Sequence, residues 1–267
     1  MQYAVKKEPT NSVPCVSIIT PLFNAEKHIA QTLQSVQNQS YQNWEHIIVN
    51  DHSTDTSEEI VKNIAEKDPR IQLVSLQENK GAAFCRNHAT ELANGDYIAF
   101  LDSDDLWHSE KLSKQVDFMK DQDCDVSYTS YLHISETGEA LGKRIKALDK
   151  LPYKKQLRNN YIGNLTGIYN ASTLGKIFAP PIRKRQDWAV WLEAIKKSGK
   201  PALGLVDDLA YYRVREGSMS SNKLALIPYN FKFYRSYLGY SWLGSVFQLL
   251  RFFWEYFLVR PKQIQKL

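Results

Sequence analysis

Ile98-Ala-Phe-Leu-Asp102-Ser-Asp104-Asp105 runs an apolar strand directly into three carboxylates. A short apolar run ending in polar residues is the mark of a buried strand. Three acids within four residues repel one another unless a cation neutralises them, and hard divalent metals prefer such oxygen ligands. A metal held by one or two carboxylates, with its other positions open, is suited to bridging a diphosphate. The structural alternative is an acidic loop capping a helix that begins at Ser109. Its place at the end of a buried strand favours the metal.

Outward from this stretch, the first hundred or so residues alternate short apolar strands with amphipathic helical stretches, the pattern of a doubly wound, mainly parallel sheet. Strands are expected at Val16–Thr20, His46–Asn50, Ile71–Ser75 and Tyr97–Leu101, with helices at Ala25–Asn38, Asp55–Lys67 and Gly81–Ala93. Ile29, Leu33 and Val36 give the first helix a buried face, and Asp55 with Glu58 three residues on reads as a capping box. Parallel sheets bind ligands beyond the carboxyl ends of their strands. There lie Asn24, then Asp51 and Ser53, then Asn79, then Asp102 to Asp105.

Past Trp107 the pattern becomes a smaller α+β lobe. Ser109 opens a helix to about Lys120, Val126–Ile134 alternates as a strand, Glu136–Lys150 reads as a polar loop, and a helix follows over Gln186–Lys197, ended by Ser198-Gly199. Asp187 lies in the first turn of that helix, where the helix macrodipole favours an acid, and Trp188 and Trp191 follow it.

From Lys223 to the end, seven Lys and Arg face a single acid, Glu255, so a tail of +6 sits on a body of −1. This argues against a nucleic-acid surface spread over the main domain and for a basic tail with its own partner. Within Ser241–Val259, Ser241, Ser245, Gln248, Arg251 and Glu255 make a narrow polar stripe on an apolar helix. With basic flanks this suits a helix lying at a membrane interface, the alternatives being packing on the acceptor lobe or on a second copy. No stretch approaches the twenty or so apolar residues of a membrane span. The three cysteines, Cys15, Cys85 and Cys124, have no paired or zinc spacing, and the N-terminus lacks the apolar run of a signal peptide, so a cytoplasmic setting is expected.

Five stretches, taken in order, resemble the inverting family 2 glycosyltransferases of GT-A fold: Val16-Ser-Ile-Ile-Thr-Pro-Leu-Phe-Asn24, Val49-Asn-Asp-His-Ser-Thr-Asp55, Asn79-Lys-Gly-Ala-Ala-Phe-Cys-Arg-Asn87, Gly95-Asp-Tyr-Ile-Ala-Phe-Leu-Asp-Ser-Asp-Asp105 and Arg185-Gln-Asp-Trp-Ala-Val-Trp-Leu192. The resemblance implies a Rossmann-like, mainly parallel central sheet flanked by helices, with residues 1–105 as the nucleotide-sugar half, 106–222 as the acceptor half and 223–267 as an amphipathic helical tail. It implies that Asp104 binds a divalent Mn²⁺ or Mg²⁺, that Asp102 holds the ribose or helps the metal, and that Asp105 braces the loop or caps the next turn. The donor would be met by Thr20, Pro21, Asn24, Asp51 as the reader of uracil, Arg86 and, beside it, Asn87. Arg213 and Arg215 would belong to a loop over Tyr211–Ser221 that folds over the diphosphate. Asp187 would be the catalytic base, since inversion in one displacement needs a carboxylate by the acceptor hydroxyl, on the face opposite the leaving group. The alternative role for it is a helix-start acid favoured by the macrodipole, and the aromatic faces of Trp188 and Trp191 beside it would suit an acceptor-binding wall.

The sequence departs from the family pattern at Asn50, where an acid is usual, at His52 for glycine, at Gln186 for Glu and at Arg215 for histidine. The expected activity is transfer of one hexosyl or N-acetylhexosaminyl unit from a nucleotide-diphosphate sugar, UDP foremost, to a saccharide or polyprenyl-linked acceptor of surface-polysaccharide assembly. It would act at the inner face of the cell membrane. The alternatives are an inactive sugar-nucleotide scaffold, against which Asp102, Asp104 and Asp187 argue together, and a nucleotidyltransferase, which would need a Gly-rich loop where Thr20-Pro-Leu-Phe-Asn24 stands. Processive synthases carry a QxxRW pattern that this chain lacks.

Overall fold

The computed structural model describes residues 13–215 and 226–267. Strands β1 (Val16–Leu22), β2 (Trp44–Asn50), β3 (Ile71–Ser75) and β4 (Tyr97–Phe100) alternate with helices α1 (Ile29–Gln37), α2 (Ser57–Ala65) and α3 (Ala82–Leu92). They pair in parallel in the order β3-β2-β1-β4. The sheet order therefore reverses between β1 and β4, and the crevice for a ligand opens at the carboxyl ends of those two strands.

Both faces of these strands are covered, so they read as nearly continuous apolar runs. Alternate residues point to opposite sides. Ile19, Ile47, Ile98 and Phe100 pack with Cys85 and Ala89 of α3 on one face, while Ile18, Ile48 and Ala99 pack with Ile29, Leu33 and Val36 of α1 on the other.

The second half adds β5 (Leu106–Trp107), α4 (Lys111–Asp121), β6 (Val126–Ile134), β7 (Ala140–Ile145), β8 (Lys150–Leu151), α5 (Tyr153–Gln156), β9 (Ile168–Asn170), α6 (Ala171–Leu174), α7 (Gln186–Ser198) and β10 (Ala202–Arg213). Strand β9 joins β4 antiparallel and carries the sheet on to β6, so one sheet runs through both halves. The stretch read as a polar loop, Glu136–Lys150, instead contains β7 and ends on the first residue of β8. Ala140-Leu-Gly-Lys-Arg-Ile is too polar to announce a strand, and it becomes one because β6 pairs with one of its edges and the chain's last strand with the other.

Two expected caps are absent. Glu58 does not reach back to Asp55: its carboxylate accepts from Asn50 Nδ2 and Ser75 Oγ, and Asp55 receives the amides of Glu26 and Ser57. Helix α4 starts at Lys111, two residues after Ser109, without a side-chain cap.

The tail, α8 (Ile227–Lys232), α9 (Trp242–Trp254) and β11 (Ile264–Lys266) joined by short helical turns, packs on the second half of the chain. Trp188 of α7 stacks on Phe233 at 4.5 Å between ring centroids, and Tyr234 and Phe252 complete the cluster. The polar stripe faces the protein: Ser245, Gln248 and Glu255 are buried, and Glu255 meets Tyr161 and Lys155. The outer face is apolar, with Trp242, Leu243, Phe247, Leu250, Trp254, Phe257 and Leu258 each 51–74% exposed. Packing on the lobe, expected as an alternative to lipid contact, thus leaves a second face outward. Among the described residues no helix is long and apolar enough to cross a membrane.

Candidate active site

The acid cluster closes β4 in a tight turn. The Asp105 amide donates to the Asp102 carbonyl at 3.1 Å, and Thr32 Oγ1 of α1 lies 3.1 Å from the Ser103 carbonyl and 3.0 Å from the Asp105 carbonyl, which share its one hydroxyl proton. Within this turn the three acids part company. Asp105 points inward and accepts the Arg213 amide at 2.9 Å, and burial, with Asp104 and Asp102 nearby, pushes its carboxyl well above the usual range. It braces the loop and caps no helix. Asp102 Oδ1 accepts from Arg86 Nη2 (2.6 Å) and Asn164 Nδ2 (3.2 Å), and Asp104 Oδ2 pairs with Arg215 Nη2 at 2.6 Å.

Two hard-oxygen side chains in one turn therefore remain for a metal. Burial first, then repulsion from Asp102, raises the Asp104 carboxyl, and Arg215 only partly reverses this. A divalent cation would relieve the same repulsion. With Asp105 turned away, no cluster of three His, Cys, Asp or Glu side chains is arranged for a metal among the described residues. The donor set suits a cation that takes one or two carboxylates and completes its shell with substrate phosphates and water. It does not suit one enclosed by protein.

After β2, Asp51 is 3% exposed, its Oδ1 accepting the Lys80 amide at 2.6 Å and its Oδ2 the Gly81 amide at 2.9 Å. It ties the end of β2 to the start of α3, where Gly81 takes φ +87°, a conformation open to glycine at no steric cost. Any hydrogen bond to a base would use a remaining lone pair. His52, standing for the family glycine, takes φ 60°, so the loop keeps the left-handed turn at a cost of about 1–2 kcal/mol. Asn24, also at positive φ, accepts the Thr54 amide on Oδ1 at 2.9 Å and links the loops after β1 and β2. Pro21 is half-buried in β1, in register with Val49.

Several expected contacts are spent inside the protein. Thr20 is fully buried, its hydroxyl donating to the Leu101 carbonyl at 2.7 Å and meeting His46 Nε2 at 2.8 Å, so it cannot touch a donor. Asn87 clamps both the amide and the carbonyl of Ala179. Arg213 is 2% exposed and lies in β10, where its guanidinium donates to the carbonyls of Asp104 and Glu136 and to Gln31 Oε1. It is a strut under the acid loop, not a clamp over the diphosphate. Arg215 remains accessible, and residues 216–221 of the expected mobile loop lie outside the described residues.

Asp187 lies in the first turn of α7, after Arg185 in a left-handed turn, and with Arg86, Phe100, Asn164, Gln186 and Val190 it lines a cavity of about 10 Å³, room for about one water. Arg86 and Asn164 also hold Asp102, so two side chains link the candidate base to the acid cluster. Trp188 and Trp191 do not line the cavity. Both are fully buried, Trp188 beneath the tail with Nε1 donating to the Gln156 carbonyl at 2.7 Å, and Trp191 edge-on to Phe100 at 5.7 Å between centroids. Their helical spacing is that of a core face. Asn160, whose Nδ2 donates to Asp187 Oδ2 at 2.7 Å, and Asn164 went unread in the sequence, although Asn159-Asn-Tyr-Ile-Gly-Asn164 is a polar interruption before a strand.

A sheet of this order, with acids at its switch point and a further carboxylate supplied by a second lobe, is the GT-A architecture of sugar-transferring enzymes. The model of Glycosyl transferase family 2 matches residues 17–176, and the chain belongs to that family of glycosyltransferases. It is 46% identical over 214 residues to TuaG of Bacillus subtilis (strain 168), provisionally named a teichuronic acid biosynthesis glycosyltransferase, covering 80% of this chain and 84% of that one. It is 36% identical over 208 residues to WfgD of Escherichia coli, a UDP-Glc:alpha-D-GlcNAc-diphosphoundecaprenol beta-1,3-glucosyltransferase, covering 78% and 80%. Among solved structures, Staphylococcus aureus TarS residues 1–349 in complex with UDP-GlcNAc superposes with a TM-score of 0.71 at 22% identity, covering 92% of this chain and 74% of that one. That likeness concerns the fold.

Proposed function

We propose that this protein is a metal-dependent, inverting transferase that moves one hexosyl or N-acetylhexosaminyl unit from a UDP-sugar to a saccharide or polyprenyl-linked acceptor in surface-polysaccharide assembly. The observation that carries the reading is that Arg86 and Asn164, which both donate to Asp102 Oδ1, also line one small cavity with Asp187. The donor and acceptor chemistry named for WfgD and the assembly named for TuaG support the substrate class.

In this reading Asp187 takes the proton of the acceptor hydroxyl as its oxygen attacks the anomeric carbon, and the nucleoside diphosphate departs on the opposite side. Asp102 and Asp104 would hold the divalent ion, which would supply Lewis-acid charge to offset the diphosphate. Asp51 accepts from the base, and Arg215 exchanges Asp104 for the diphosphate, a bidentate contact open to a guanidinium. The apolar outer face of α9, flanked by Arg235, Arg251 and Lys262, rests on the inner face of the cell membrane, where a polyprenyl-linked acceptor is displayed.

The test is transfer by purified protein from a panel of UDP-, GDP- and dTDP-sugars to a diphosphate-polyprenyl acceptor, with the product's anomeric configuration read by NMR. Asp187→Asn should cut turnover by about 10²–10⁴-fold with donor affinity little changed. Near-normal turnover of that variant, or a product of retained configuration, overturns the mechanism.

A further inference from the structure

Asp187 does not choose its own orientation. Its Oδ2 accepts from Asn160 Nδ2 at 2.7 Å, while among the described residues its Oδ1 has no hydrogen-bond partner. The direction of the Asn160 amide follows from its neighbours. The Tyr161 amide donates to Gln156 Oε1 at 2.9 Å, so Gln156 turns its Nε2 towards Asn160 and donates to Oδ1 at 2.9 Å. An amide that accepts on Oδ1 has only its Nδ2 to offer Asp187. Gln156 is itself fully buried and also accepts from Trp188, the residue after Asp187, on its carbonyl. The amide pair is thus fixed from both sides of the base.

The same short loop reaches the donor side. Asn164 donates to Asp102 Oδ1 at 3.2 Å, so Asn160 and Asn164 bridge the candidate base and the candidate metal carboxylate. The tail holds this loop from behind. Arg260 Nη1 donates to the Asn160 carbonyl at 3.0 Å, and its guanidinium lies 4.8 Å from the Tyr161 ring centre, while Glu255 takes the Tyr161 hydroxyl.

We propose that Asn160 is a positioning residue for the transfer step. By occupying Oδ2 it presents Oδ1 of Asp187 to the acceptor hydroxyl, and the docked tail keeps the loop in register. The inference rests on Asp187 being the base. A hydrogen bond to a carboxylate that merely stabilised the helix start would not govern turnover. A base displaced by about 1 Å loses about 10²-fold in rate, so the two roles separate clearly.

The experiment measures kcat, acceptor KM, UDP-sugar Kd and thermal midpoint for Asn160→Ala, Asn160→Ser, Asp187→Asn and the double variant Asn160→Ala/Asp187→Asn. Expected are a kcat lowered about 10- to 100-fold in both Asn160 variants, donor Kd within about twofold, and a double variant no slower than Asp187→Asn alone, because the two residues act as one unit. If either Asn160 variant loses its fold, the other carries the comparison, and Arg260→Gln should show a weaker loss in kcat through the same loop. A kcat within about twofold of normal in a folded Asn160 variant, with Asp187→Asn disabled, overturns the positioning role. So does a double variant whose losses multiply. Normal turnover in Asp187→Asn overturns the base assignment itself, a distinct result.

Discussion

Arg215 Nη2 lies 2.6 Å from Asp104 Oδ2, so a cation arriving at Asp104 meets a guanidinium already there. The pair is partly exposed, which limits its worth to about 0.2–1 kcal/mol. Arg215→Ala should therefore tighten Mn²⁺ binding to the donor-free protein by no more than about fivefold, read by calorimetry or Mn²⁺ EPR. Asp104→Ala should remove Mn²⁺ binding and transfer together. Full transfer in chelator would take the metal out of the mechanism.

Asp51 illustrates a residue with two duties. The family resemblance implies a reader of the base, whereas the structure places both carboxylate oxygens on backbone amides at the start of α3. Asp51→Ala should then lower stability as well as donor affinity, since two part-buried amides lose a charged acceptor worth about 1.5–3 kcal/mol. Thermal melts and competition by UDP and GDP separate the effects. An unchanged midpoint with weakened UDP protection would assign Asp51 to the base alone, and stronger protection by GDP than by UDP would contradict base reading.

How much was legible depended on whether the signal was local. The four parallel strands and three helices of the first half follow from apolar runs and helical periods within each segment. Asp102, Asp104 and Asp187 stood out because acids in special places are rare. What stayed hidden was set by distant partners. Arg213 looks like a phosphate clamp until its guanidinium is found on Asp104, Glu136 and Gln31. Trp188 and Trp191 look like a sugar wall until the tail covers one and Phe100 the other. β7 is a strand only because both its edges are paired. Asn160 carries no motif, and its meaning comes from Gln156, Asp187 and Arg260 meeting it.

The tail's two faces predict opposite outcomes for substitutions on one helix. Phe247→Glu with Leu250→Glu changes exposed side chains, so the midpoint should hardly move while binding to anionic phospholipid vesicles falls sharply. Phe252→Ala opens a cavity beside Trp188 and should cost about 3–5 kcal/mol. Vesicle co-sedimentation and denaturant melts check both. Unchanged vesicle binding in the double Glu variant would remove the outer face from membrane contact. Truncation at Ser241, by contrast, would strip β11 from β7 and Phe252 from Trp188, so it should destabilise the second half of the chain.

The last prediction concerns His46, at the centre of β2 and fully buried. Thr20 donates its own hydroxyl proton to the Leu101 carbonyl, so the 2.8 Å contact with His46 must be Nε2–H donating to Thr20 Oγ1. That fixes the neutral tautomer, and Nδ1 has no hydrogen-bond partner among the described residues. A second proton would sit unpaired in the sheet, and burial accordingly pushes the imidazole down to about 3, from an unfolded value of about 6.5. Between these values the unfolded chain binds a proton that the folded chain refuses. Stability therefore rises with pH across this window and is lost on acidification, at up to about 1.4 kcal/mol per pH unit. Denaturant unfolding from pH 7.5 to 4.5 should show that slope beginning near pH 6.5 in the wild type. His46→Gln keeps a side-chain N–H for Thr20 but cannot titrate, so its curve should be flatter by most of that amount. His133, lowered to about 4 by burial, acts in the same direction and remains in both proteins, so the difference between the two curves reports His46 alone. Parallel curves would show that His46 accepts its proton without unfolding the sheet.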